Sequence, residues 1–239
     1  MNRQVVRQER VAVDEIVAEV TYKAVRRLTL RVRSGAGPVL VSAPSRLSRQ
    51  TVNAFLQAQL PWIRRQQQRH RVHEAVPPPA YADGELLWFW GRRQAIERVD
   101  GVPPRVSLSG DRLLLQIAAD ATPAACAALV EAWLRERLGE ALEPLLAAWA
   151  GRLNLCLPAY RIRKMKSRWG SCSIRTGTLA FNLELVRRPP VCLEYVVVHE
   201  LVHLIVPPHN TRFYAILDHV LPSWSDVRRE LDARPVGTP

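Results

Sequence analysis

His199-Glu200-Leu201-Val202-His203 combines two imidazoles and a carboxylate at a spacing that can do chemistry. It sits inside Tyr195–Val206, a run that is otherwise apolar. The run's length and its freedom from internal Gly or Pro suit a buried helix, while its valines would also suit a strand. Pro189-Pro190 is a fitting helix start, because proline is tolerated in the first turn. Pro207-Pro208 is a fitting stop, because the residue before a proline is pushed out of the α region. On a helix, positions i and i+4 share a face, so His199 and His203 would project side by side as two nitrogen ligands for one zinc ion. Glu200 lies beside them, free to take a proton from a water that the metal has acidified. This is the H-E-x-x-H arrangement of zinc peptidases. With six histidines and 14 glutamates in 239 residues, random order yields it about once in a hundred such chains.

A catalytic zinc takes three protein ligands and keeps an open position. His209 is the expected third, presented from a loop after the Pro-Pro break. Its distance from His203 equals that of the metzincin pattern, but Val206 stands where metzincins have glycine, so the turn must differ. His219 is off the ligand spacing and reads as structural.

The elements that must position these residues follow from periodicity. Residues 1–15 read as a polar leader. Ile16–Tyr22, Leu28–Val32 and Val39–Val41 read as strands, with a turn at Gly35-Ala36-Gly37-Pro38, and together as an antiparallel meander. A helix follows from Ser48 to about His73, kinked or divided at Pro61. Glu74–Gly84, with Pro77-Pro78-Pro79, reads as a linker. Strands are expected at Leu86–Trp90 and twice within Val106–Ile117. Thr122-Pro123 opens a helical stretch to about Leu153, with Gly139 and Pro144 marking a bend or break, so that a helical hairpin or one interrupted helix is expected. Tyr160–Lys166 and Thr178–Asn182 read as a strand and a returning strand around the Thr176-Gly177 turn, with 167–173 a loop or bulge. A strand beside a metal helix can hold an extended peptide by main-chain hydrogen bonds. Phe213, Ile216, Leu217, Val220 and Leu221 form the stripe of a helix packed on the metal helix, and Asp226–Leu231 a last short one. The class expected is α+β: an N-terminal antiparallel β meander plus helix over 1–74, a linker and β-rich segment over 75–120, and a catalytic domain over 121–239. No internal repeat is evident.

Composition bounds the rest. The chain is 48% hydrophobic, enough for a sizeable core, and carries a net charge of +12. Only Lys23, Lys164 and Lys166 are lysine among 34 basic residues. Such a surplus permits a nucleic-acid partner and equally a plain solvated surface. Cys126, Cys156, Cys172 and Cys192 form no C-x-x-C pair. No apolar leader and no run of 18 apolar residues is present, so no membrane partner is expected and reduced thiols in a cytoplasm are the simplest account.

Ser167-Arg168-Trp169-Gly170-Ser171-Cys172, Leu179-Ala180-Phe181-Asn182, Tyr195–His203, His209 and Phe213 occur in one order. That order resembles the YgjP-like family of predicted zinc metallopeptidases, specifically from about Ala159 to Leu231 and weakly over the N-terminal strands and the helix with Trp62-Ile63. The resemblance implies a zincin-like catalytic domain in a soluble bacterial protein. It also implies one zinc per chain on His199, His203 and His209, with Glu200 as general base and a peptide or protein as substrate. Related zincins of the SprT and WLM types are linked to cleavage of proteins crosslinked to DNA, which keeps nucleic acid as an alternative partner at the level of fold analogy. Arg168 is a candidate for holding a substrate carboxylate or an oxyanion, or for facing solvent. Asn182 is a candidate for bonding a substrate backbone or capping the hairpin. Cys172 reads as a nucleophile, a redox switch or a small packed residue. Trp169 is expected to pack behind the metal site.

Overall fold

A computed structural model of the chain describes residues 5–33, 37–75 and 79–233. Parts of the expected leader (1–4), glycine turn (34–36) and proline linker (76–78) lie outside the described residues. The chain divides into two compact units, residues 1–78 and 79–239.

The first unit begins with strands β1 (Val5–Val13), β2 (Ile16–Lys23), β3 (Thr29–Arg31) and β4 (Val39–Pro44). Helix α1 (Arg49–Ala75) completes it. The leader read from the sequence is therefore mostly strand. β1 turns into β2 at Asp14, whose φ of 51° lies in the left-handed region that Asp tolerates. The sheet order is β1-β2-β4-β3. The meander is antiparallel at β1–β2 and β3–β4 but parallel at β2–β4. Alternate residues Ile16, Ala18, Val20 and Tyr22 are buried with Val39 and Val41 against Val52, Leu56 and Ile63 of α1. Pro61 lies inside α1 without dividing it.

The second unit opens with β5 (Leu86–Phe89), β6 (Arg92–Val99), β7 (Arg105–Ser109) and β8 (Arg112–Gln116). Helix α2 (Pro123–Arg152) follows. The sheet order is β5-β6-β8-β7, with β6 and β8 parallel and both outer pairs antiparallel. This is the topology of the first unit again, a ββββα module met twice, although the two stretches of sequence show no repeat. These strands share one core with α2 and everything after it, rather than standing as a division of their own.

The Thr122 hydroxyl caps α2 by accepting from the Ala125 amide at 3.2 Å. The helix then runs unbroken for 30 residues. No break or hairpin divides it at Gly139 and Pro144. The buried stripe Cys126, Val130, Leu134, Leu138, Leu142, Leu146 and Ala150 spans the whole length. Its burial, about 1.5–3 kcal/mol for each large side chain, outweighs the roughly 3 kcal/mol that an interior proline costs.

A second, three-stranded sheet has the order β10-β11-β9: β9 (Tyr160–Arg163), β10 (Gly170–Ser173) and β11 (Thr178–Asn182). β10 and β11 form the hairpin at Thr176-Gly177, and β9 joins β11 in parallel. The stretch expected as a loop thus supplies the edge strand, and the first expected strand does not pair as its hairpin partner. After a short 3₁₀ turn (Leu183–Arg187), helix α3 runs from Pro190 to Ile205. Val206 is extended ahead of Pro207, which ends the helix as the prolines predict. α4 (Thr211–Val220) and α5 (Trp224–Ala233) pack on α3. Among the described residues no helix is long and apolar enough to cross a membrane.

Candidate metal centre

Two glycines set where α3 lies. Gly91, at φ 78° in the turn between β5 and β6, approaches Pro189 so closely that an added Cβ would stand 2.9 Å from its Cγ. Trp90 in the same turn donates its backbone amide to the Val186 carbonyl at 2.8 Å. The start of α3 is therefore held against the second unit's first sheet. At the other end of the helix, a Cβ on Gly170 of β10 would stand 2.5 Å from Glu200 Oε1 and 2.9 Å from Val196 Cγ1. β10 can cover Glu200 only because residue 170 has no side chain.

His199 and His203 project one turn apart from α3, with ring centroids 4.9 Å apart. Residues 206–210 turn the chain back, and Asn210 caps α4 by accepting from the Phe213 amide. That turn brings His209 to the other two: its Nε2 lies 3.0 Å from His199 Nε2. One ring nitrogen from each of the three histidines falls within 4.8 Å of the others. Phe213, fully buried, packs beneath all three imidazoles at centroid distances of 5.0, 4.7 and 4.7 Å. His219 is exposed and outside this cluster.

Burial governs the electrostatics. His199 is pushed down to about 3 by burial first and then by His203 and His209. Burial also lowers His203, with His209 adding to it, and lowers His209, with Arg228 adding to it. All three imidazoles are therefore neutral near pH 7, with lone pairs free for a metal. Three neutral imidazoles converging on one point fit a first-row divalent ion. Glu200 is 5% exposed, and burial pushes its carboxyl up to about 8, with Arg168 pulling the other way.

The remaining candidates separate. Arg168 is exposed at the loop before β10, near enough to favour the ionised form of Glu200. Asn182 is fully buried. Its Nδ2 donates to the Met165 and Arg168 carbonyls at 2.8 Å, and its Oδ1 accepts from the Met165 and Glu184 amides. Its hydrogen-bonding capacity is used inside the protein, so Asn182 ties down the loop that carries Arg168 and caps the 3₁₀ turn; it is not presented to a substrate. Burial raises the Cys172 thiol, and Glu200 adds to it, the opposite of what a nucleophilic cysteine needs. Trp169 is half-buried against the core, with the Arg188 guanidinium 5.3 Å above its ring.

Sequence reasoning passed over Gly170 as a contact of Glu200, and it passed over Tyr195, whose hydroxyl lies 3.4 Å from His199 Nδ1. Tyr195 was legible, being four residues before His199 on the same helix face.

A search of curated proteins finds no match. Among solved structures, the chain is similar to the metallopeptidase zymogen of Pyrococcus abyssi abylysin, at 23% identity over 38% of this chain and 93% of that one, TM-score 0.36. It is also similar to the metallopeptidase zymogen of Methanocaldococcus jannaschii jannalysin, at 21% identity over 40% and 94%, TM-score 0.34. The sequence matches the YgjP-like, metallopeptidase domain family over residues 26–234, and the chain belongs to that family.

Proposed function

We propose that the chain is a zinc-dependent peptidase whose zinc, one per chain, is held by His199, His203 and His209, with Glu200 as general base. The observation that carries this reading is the convergence of three neutral imidazole nitrogens within 4.8 Å. When bound, such an ion supplies Lewis-acid polarisation of a carbonyl and acidifies a water. Glu200 takes the proton of the attacking water and returns it to the leaving amine. Substrate is an extended peptide. β10 is an edge strand, so its outer edge offers main-chain groups for an added strand. Arg168, beside Glu200, holds a substrate carboxylate or steadies charge on the scissile oxygen.

Elemental analysis of the purified protein tests the ligand set. About one zinc per chain is expected in the parent and in Glu200→Gln, and none in His203→Ala. Zinc retained by His203→Ala would show the ligands to be others. Glu200→Gln is expected to lose about 10²–10⁴-fold in rate toward an unfolded protein substrate.

Arg161, Arg163, Lys166 and Arg168, all exposed on β9 and the loop after it, favour a second reading in which substrates are proteins bound to nucleic acid. Binding of duplex or single-stranded DNA that weakens steeply with added salt is expected on that reading, and no binding at low salt removes it.

A further inference from the structure

The metal ligands stand in a ring of aromatic contacts that runs through the last two helices. Tyr195 on α3 meets His199 edge to face, centroids 5.6 Å apart. Tyr195 also stacks with Trp224, the first residue of α5, at 6.4 Å and 17°. Trp224 stacks in turn with Tyr214 of α4 at 5.4 Å and 23°. Tyr214 stacks with His209 at 6.3 Å and 26°, and His209 returns to His199. The indole is pinned from its edge as well: Trp224 Nε1 donates to Asp218 Oδ1 at 2.7 Å.

This ring does more than fill space, because each tyrosine is tied to a different ligand. His199 Nε2 faces the cluster. A neutral His199 with its Nε2 lone pair toward a metal carries its proton on Nδ1, and Nδ1 then donates to the Tyr195 hydroxyl. That bond fixes both tautomer and ring orientation, the service that a partner to a ligand histidine ordinarily performs. His209 comes from an exposed turn, and the face of Tyr214 limits its ring rotation. Trp224 couples the two.

Resting on the metal reading above, we infer that Tyr195, Tyr214 and Trp224 are positioning residues for the metal centre. α5 then belongs to the site although it contributes no ligand. A ligand set held in this way binds its metal about 10–100-fold more tightly than one left free to rotate.

The test is metal affinity, measured by competition with a chromophoric chelator, together with the ligand-field absorption of the cobalt-substituted protein. Tyr195→Phe keeps the ring stack and removes only the hydroxyl. It is expected to weaken zinc binding about tenfold and to shift the cobalt spectrum, with the melting temperature of the metal-free protein unchanged. Trp224→Ala should weaken binding by up to about 100-fold, and Trp224→Phe should recover most of the loss because a stacking face returns. Parental affinity and an unaltered cobalt spectrum in Tyr195→Phe and Trp224→Ala would overturn the positioning role while leaving the metal site standing. A parent that takes up no metal would overturn both.

Discussion

The two ββββα modules share a strand order and a helix that follows the fourth strand, yet among the described residues only the second unit carries a histidine cluster able to hold a metal. In the first, α1 buries Val52, Leu56 and Ile63 on its own sheet, and its described residues toward the C-terminal end are largely polar and exposed. In the second, α2 is apolar over a stripe running from Cys126 to Ala150, and α3 packs on it. Trp149 Nε1, near the end of α2, donates to Glu194 Oε1 on α3 at 3.1 Å. The same topology thus serves two ends. A half-buried helix closes a small sheet. A helix with a buried stripe along its whole length packs against α3, the helix that carries His199 and His203.

Paired truncations of the two helices break or sharpen this contrast, and their effect is the largest expected. Leu142→Ala and Leu56→Ala both empty a fully buried site. Each should cost about 2–5 kcal/mol in chemical denaturation. Leu142→Ala is expected to lower zinc occupancy as well, since its cavity lies in the core that α3 shares. Leu56→Ala should leave zinc occupancy at the parental level. Equal loss of zinc from both would dissolve the distinction between the modules.

A pH comparison isolates the carboxylate buried in the second unit. Glu200 is raised from 4.5 to about 8, so the folded protein binds more protons than the unfolded one between those values. Metal-free stability should therefore fall as pH rises through that window, with the penalty complete above about 8. His199 acts oppositely: lowered from 6.5 to about 3, it removes stability as pH falls below 6.5. Glu200→Gln retains the histidine contribution and deletes the carboxylate one. The variant's advantage over the parent should grow between pH 4.5 and 8, approaching about 5 kcal/mol above that window. A difference that stays flat with pH would show Glu200 to be solvated.

How much of this was legible depends on range. The helix that carries His199 and His203 was readable because its proline start, its proline stop and the apolar run between them lie within twenty residues of sequence. The buried alternation of Ile16, Ala18, Val20 and Tyr22 exposed β2 in the same way. β1 was missed because, over residues 7–13, its buried residues, Val11 and Val13, are too few to register beside its exposed charges. The parallel pairs β2–β4, β6–β8 and β9–β11 are set by crossovers between distant residues, which no local pattern encodes. Pro144 misled because a single breaker is conspicuous, whereas the stripe that overrides it extends over 25 residues. β10 was read as a loop because Gly170-Ser171-Cys172-Ser173 has no strand formers; what holds it in the sheet is β11 and the contact with α3.

That contact carries the smallest of the expected effects and the most local. A methyl group at residue 170 would stand 2.8 Å from Glu200 Cγ as well as 2.5 Å from Oε1. The carboxylate end can swing away, but Val196 Cγ1, 2.9 Å from the same point, belongs to a buried side chain of α3. Gly170→Ala should cost about 1–3 kcal/mol, as overpacking of a filled core does. It should also slow turnover by moving Glu200, without changing zinc content. Glu200→Ala removes two of the three atoms in the way. Gly170→Ala introduced into that background should therefore cost less, by about 0.5–2 kcal/mol, which is the coupling expected of residues in contact. A penalty of the same size in both backgrounds would mean that Val196 alone opposes the methyl group, and that the bare backbone of β10 does not set the position of the carboxylate.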